Sequence, residues 1–69
     1  MSKDEEILEV IKELAKNKGK IISLGLIYRN VMAKGIYTFK PNIKNALKRL
    51  ETRREIKATG MDSIELLEE

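Results

Sequence analysis

The chain contains no cysteine and no histidine, so neither a disulfide nor a zinc site stabilises its fold. At 69 residues it lies near the lower size limit for a domain that folds by packing alone. Aliphatic side chains must therefore supply the core, because the chain has one Phe, two Tyr and no Trp. We expect a single domain over residues 1–69, with no metal and no cofactor.

Aliphatic residues recur at helical spacing in the first half of the chain. A first helix is predicted over residues 3–17, because Ser2 opens a capping box and Gly19 provides a stop signal. A second helix is predicted over residues 23–34, ending at Gly35.

A third helix is predicted over residues 40–54, with Pro41 tolerated in its first turn. Thr38 is the only good capping side chain before it. Ile36 and Phe39 are predicted to fill the corner between the second and third helices.

Short β-strands are predicted at two places. Residues 21–22 are apolar and β-branched, and too few for a helix. Residues 55–59 and 62–67 alternate polar and apolar side chains around a turn at Gly60, which predicts a β-hairpin. The inward-facing residues of this hairpin are predicted to be Ile56, Ala58, Ile64 and Leu66.

Positive charge is concentrated in the middle of the chain. Residues 16–60 carry twelve Lys and Arg against two acidic residues, a net charge of +10. The flanking segments are acidic, with net charges of −3 over residues 1–15 and −4 over residues 61–69. Such asymmetry indicates a polyanionic partner, because a basic surface attracts nucleic acid.

The predicted third helix has an apolar and a polar side. Its apolar residues follow the i, i+3, i+4, i+7 spacing of a stripe that packs on a core: Ile43, Ala46, Leu47 and Leu50. The opposite side carries amides and cations, with Lys44 at its edge: Asn45, Lys48, Arg49 and Thr52. Taken alone, this polar side fits a solvated surface as well as a face that enters a nucleic-acid groove.

The order helix, short strand, helix, turn, helix, hairpin resembles the winged helix-turn-helix family over about residues 3–67. The resemblance rests on the strand before Ser23, the turn at Gly35, the closing hairpin and the segment 43–51. That segment, with apolar residues around a basic pair, looks like the family's recognition helix. Many members have a glycine between this helix and the wing, whereas residues 53–55 of this chain are Arg, Arg and Glu.

The resemblance implies a mainly helical α+β fold. It also implies that the third helix enters the DNA major groove while the hairpin, as a wing, touches the backbone or the minor groove. Base contacts are then expected from Asn42, Asn45 and Arg49. Backbone contacts are expected from the other exposed cations and hydroxyls: Lys40, Lys44, Lys48, Thr52, Arg53, Lys57 and Thr59.

Two of these residues have chemistry suited to particular bases. The Asn45 amide matches adenine N6 and N7, and the Arg49 guanidinium matches guanine O6 and N7. The alternatives stay open at this point: Asn45 as a solvated amide, and Arg49 as the ion-pair partner of an acid elsewhere in the fold.

We predict a protein that binds double-stranded DNA sequence-specifically, as a small transcriptional regulator. The alternative is a winged-helix module for protein contact or RNA binding within a larger assembly. A non-enzyme is predicted, because the chain has no Ser–His or Cys–His pair and no glycine-rich phosphate loop.

The expected location is the cytoplasm, without a membrane partner. No apolar run approaches the roughly 18 residues that span a bilayer, and no signal peptide is recognised. A homodimer is left open. Heavy use of Lys, Glu and Ile without Gln or Cys fits a thermophile-like composition or an AT-rich genome.

Overall fold

The first helix, α1 (Lys3–Lys18), begins at the predicted Ser2 cap, but the Glu5 carboxylate pairs with Arg53 rather than completing the capping box. In the computed structural model, which describes residues 2–67, the Ser2 hydroxyl accepts a hydrogen bond from the Glu5 N–H at 3.2 Å. At the other end Gly19 takes a positive φ of 92° and donates its N–H to a carbonyl one turn back. Acidic residues in the first turn and lysines in the last suit the helix dipole.

The second helix, α2 (Leu24–Ala33), also begins at the predicted cap. The Ser23 hydroxyl accepts a hydrogen bond from the Leu26 N–H at 3.2 Å. Gly35, with a φ of 72°, turns the chain away after the helix ends. Such a φ favours glycine, because a Cβ atom would be strained there.

The third helix, α3 (Lys40–Thr52), is two residues shorter than predicted. It begins after Phe39 without a side-chain cap, so Thr38, the one good capping side chain before it, does not cap the helix. Beyond its far end Arg54 has a positive φ of 63°. Arg54 therefore adopts a left-handed conformation that favours glycine, at some cost in strain.

Three short antiparallel strands form one sheet: β1 (Ile21–Ser23), β2 (Ile56–Thr59) and β3 (Ser63–Leu66). The hairpin of β2 and β3 is confirmed, and β3 lies in the middle of the order β1-β3-β2. The sheet is fixed to α2, because the Leu24 N–H donates to the Asp62 carbonyl at 2.7 Å. The order α1-β1-α2-α3-β2-β3, with the hairpin at the end, gives a winged-helix-like α+β layout.

One aliphatic core joins the helices to the inner side of the sheet. The predicted stripe of α3 is confirmed, since Ile43, Ala46, Leu47 and Leu50 are all buried. From the hairpin, Ile56, Ile64 and Leu66 are buried as predicted. Within residues 2–67 no charged or polar residue is buried.

Phe39 and Ala58 were expected inside, but both are exposed. Ile36 is buried at the corner between α2 and α3, whereas the Phe39 side chain, beside the same corner, is 61% exposed. Ala58 faces a groove beside α3 that is open to solvent, so it is exposed although its cross-strand partner Ile64 is buried. No helix in the described part of the chain is long and apolar enough to cross a membrane.

Candidate nucleic-acid interface

α3 presents its polar side to solvent along its whole length. Every α3 residue predicted to contact DNA is exposed: Lys40, Asn42, Lys44, Asn45, Lys48, Arg49 and Thr52. The outer side of any surface helix is exposed, so exposure alone does not identify a site. These side chains differ in whether another group of the fold already pairs with them.

The lysines of α3 carry positive charge that the fold does not neutralise. Lys44 and Lys48 form no ion pair with any residue between 2 and 67. The Lys40 ammonium lies 5.7 Å from the centroid of the Tyr28 ring, a cation–π contact that holds the charge without cancelling it. All three lysines are therefore available to an anionic ligand.

Arg29 of α2 extends this positive surface, and sequence reasoning missed it. It lines a shallow depression together with Lys40, where α2 approaches the start of α3. The indication was present in the sequence, because no Asp or Glu occurs between Glu13 and Glu51. Both α2 and the first part of α3 lie inside that acid-free stretch.

The two asparagines of α3 keep their amide groups for a ligand. Asn42 and Asn45 form no side-chain hydrogen bond with other described residues, although Asn17 and Asn30 bond to their own helices. The Thr52 hydroxyl differs, because it donates to a carbonyl of α3 at 3.0 Å. Asn42 and Asn45 are thus the polar groups on α3 best suited to a base edge.

Arg49 is engaged by the first turn of α1. Its Nε and Nη2 atoms donate to the two carboxylate oxygens of Asp4 at 2.8 and 2.9 Å, a bidentate pair. The alternative left open by the sequence, an ion pair with a distant acid, is the arrangement found. Arg49 would have to exchange Asp4 for a base in order to read DNA through these atoms.

Arg53 is held in the same way. Its Nη2 atom lies 2.7 Å from a carboxylate oxygen of Glu5 and 3.3 Å from one of Glu55. The acidic start of α1 therefore neutralises Arg49 and Arg53. Lys40, Lys44 and Lys48, on the first part and middle of the helix, have no such acidic partner within residues 2–67.

The ion pairs shift the pKa values of the groups that form them. The hydrogen bonds from Arg49, with its positive charge, hold the pKa of Asp4 below its ordinary value of 3.8. The same hydrogen bonds raise the pKa of Arg49, and the bond to Glu5 raises that of Arg53. Ionised Asp4 is thus favoured in the folded chain, so folding and the charge of Asp4 are linked.

Asp4→Asn is expected to lower the melting temperature at pH 7, because the neutral amide loses the charged bidentate contact with Arg49. The stabilisation requires the carboxylate. The difference from wild type should therefore shrink as the pH falls below 3.8 and through the lowered pKa of Asp4. Thermal unfolding followed by circular dichroism at several pH values measures this difference.

Glu6→Gln is the matched control, because Glu6 also lies in the first turn of α1 but forms no ion pair with a described residue. It loses the same favourable charge at the helix start. Equal losses of melting temperature in Asp4→Asn and Glu6→Gln would show that the Arg49 contact contributes nothing.

The wing offers less positive charge than the sequence suggests. Lys57 is exposed, but Glu55, Asp62 and Glu65 lie on the same hairpin. The Thr59 hydroxyl is shielded from solvent and has no hydrogen-bond partner among residues 2–67, so it is not placed for the predicted phosphate contact. Of the two hairpin residues predicted to contact the DNA backbone, Lys57 therefore remains a candidate and Thr59 does not.

An apolar groove of about 150 Å³ separates α3 from the hairpin. Lys44, Lys48 and Glu51 of α3 line it together with the exposed Met61 of the hairpin turn. The Glu51 carboxylate accepts a hydrogen bond from the Ala58 N–H at 3.3 Å, which ties the hairpin to the helix. The helix and the hairpin are thus held a short distance apart, side by side.

Comparisons with known proteins do not supply a relative. The chain gave no match to the protein-family models, the curated proteins or the solved structures with which it was compared.

Proposed function

We propose that this chain binds double-stranded DNA as a winged-helix regulator of transcription, with α3 in the major groove. The observation that carries the proposal is the positive face of α3, where Lys44, Lys48 and the Asn45 amide have no partner within residues 2–67. Lysines without internal partners beside an exposed amide provide both phosphate anchors and a base-reading group.

The size of the helix fits this role. At 1.5 Å per residue, the 13 residues of α3 span roughly 20 Å, and a helix with its side chains is about 10–12 Å across. The major groove of B-DNA is about 12 Å wide. α3 can therefore lie in the groove while its lysines reach the phosphates at the edges.

The surrounding elements support the same orientation. Arg29 and Lys40 extend the positive surface from α3 onto α2, and Lys57 adds a charge on the hairpin. In the proposed complex Asn42 and Asn45 contact bases, while the lysines contact phosphates. Arg49 contributes to base reading only where DNA displaces Asp4.

A second candidate function is contact with a protein. The groove between α3 and the hairpin is largely apolar and is bordered by the exposed side chain of Met61. Such a groove suits an apolar side chain of a partner. DNA binding is favoured, because Lys44 and Lys48 also border this groove. The negative phosphates of a DNA backbone would neutralise these two lysines, which an apolar side chain cannot do.

Duplex DNA is expected to bind with a steep dependence on salt. Five cations on the proposed interface have no ion pair within residues 2–67 and provide about five phosphate contacts: Arg29, Lys40, Lys44, Lys48 and Lys57. A plot of log affinity against log salt should then have a slope of about −4.5. Fluorescence anisotropy of a labelled 20-base-pair duplex, titrated at several salt concentrations, measures this slope.

Competitors added to the same titration show which kind of nucleic acid the chain prefers. Single-stranded DNA and an RNA duplex of equal length serve as competitors, since the narrow, deep major groove of RNA does not admit a helix. Absence of duplex DNA binding at low salt would reject the proposal. Stronger competition by the RNA duplex would favour the RNA-binding alternative.

A further inference from the structure

Phe39 occupies a position where neither its size nor its polarity helps the fold. It is the only phenylalanine of the chain, and its side chain is 61% exposed directly before α3. It is also the N-cap residue, where Ser, Thr, Asp or Asn stabilises a helix through a side-chain hydrogen bond. A large apolar side chain stands where a small polar one would make the domain more stable.

The surroundings of Phe39 differ from those of the other exposed apolar side chains. Its neighbours in the chain are Thr38 and Lys40, and it lies inside the stretch that contains no acid. Met61 is more exposed, at 93%, but is followed by Asp62. Phe39 is therefore the exposed apolar side chain of the described region that directly adjoins the positive start of α3.

In the proposed complex this position faces the bases. Helices of this kind contact base edges chiefly with residues at their N-terminal end. Phe39 immediately precedes that end, one turn before Asn42 and ahead of Asn45 on the same helix. An aromatic ring without hydrogen-bonding groups has one apolar target on the edges of the major groove, the 5-methyl group of thymine.

We propose that Phe39 reads thymine by packing against its 5-methyl group in the major groove. This inference rests on the proposed DNA-binding function and adds a specificity-determining residue to it. Contact with the ring removes the methyl group and part of the ring from water, which favours thymine over any pyrimidine that lacks the methyl group. Asn42 and Asn45 would then read the hydrogen-bonding groups of neighbouring bases.

The test uses deoxyuridine, which differs from thymidine only in lacking the methyl group. The tightest-binding duplex is first recovered from a random pool with the wild-type chain. Each thymine of that duplex is then replaced in turn by uracil, and Kd is measured by fluorescence anisotropy. We expect one or two replacements to weaken wild-type binding about fourfold each, the effect of returning one methyl group to water.

Two variants assign this preference to Phe39. Phe39→Ala is expected to bind the thymine and uracil duplexes with equal Kd values. Phe39→Ser should also lose the preference while keeping the fold, because the serine hydroxyl provides the missing helix cap. Ile21→Ala is the matched control, since the Ile21 side chain is 60% exposed but lies on the outer strand of the sheet, and it should retain the preference.

The outcomes separate this inference from the proposed function. Wild-type binding to duplex DNA that no uracil replacement weakens would overturn the role of Phe39 and leave DNA binding intact. A preference for thymine that persists in both Phe39 variants would overturn it as well. Absence of any duplex binding would reject both proposals together. A further check places cytosine at the contacted position and then adds its 5-methyl group, which should strengthen binding of the wild type but not of Phe39→Ala.

Discussion

The double variant Lys44→Ala and Lys48→Ala is expected to bind duplex DNA about tenfold or more weakly than the wild type. The slope of log affinity against log salt should become shallower by about 2, because each lost phosphate contact removes about 0.9. Both lysines are exposed and unpaired within residues 2–67, so their removal breaks no ion pair there. Alanine also favours helix, so α3 should stay folded.

The control for this variant is a second double substitution, Lys12→Ala and Lys16→Ala. These lysines are exposed on α1, which also carries all five acidic residues of the first 15 positions. Anisotropy titrations of the two double variants against one duplex compare the surfaces directly. Equal losses of affinity and slope would mean that DNA is held by overall charge and that α3 is not the interface.

Leu50→Ala is expected to lower the free energy of unfolding by about 3 kcal/mol, because it removes a large side chain from a filled core. Leu50 is 0% exposed and lies in α3, which packs against both α1 and β2. Domains of this size have a total stability of only about 3–10 kcal/mol. The substitution therefore removes a large fraction of the stability of the whole fold.

Urea unfolding followed by circular dichroism measures the loss. Met61→Ala is the control, since its side chain is 93% exposed in the hairpin turn and its removal should change stability by less than about 0.5 kcal/mol. A loss in Leu50→Ala as small as that in Met61→Ala would contradict the close packing of α3 against the core.

The helices were predictable from sequence because their determinants are local. Ser2 and Ser23 accept hydrogen bonds from amides three residues later, and both were recognisable as caps. The stripe of α3 was recognisable from its spacing. The pairing of β1 with β3 was not predicted, since it joins Ile21 to Glu65 and no local pattern specifies such a distant partner.

The candidate site was predictable as a helix and a charge, but not residue by residue. The acids at the start of α1 were already explained by the helix dipole, so nothing in the sequence assigned Asp4 to Arg49. Phe39 was expected inside because aromatic residues usually are. Aliphatic side chains fill the core instead, and only the three-dimensional arrangement reveals that Phe39 is left outside.

The position of β3 in the middle of the sheet has a consequence for biosynthesis. β1 emerges from the ribosome early, but its partner strand, Ser63–Leu66, is made more than forty residues later. Until then β1 and β2 have no strand to pair with, and the aliphatic residues of α1 and α2 lack the inner side of the sheet. The three-stranded sheet therefore cannot form until Leu66 has been made, which leaves the inner side of the sheet to join the core last.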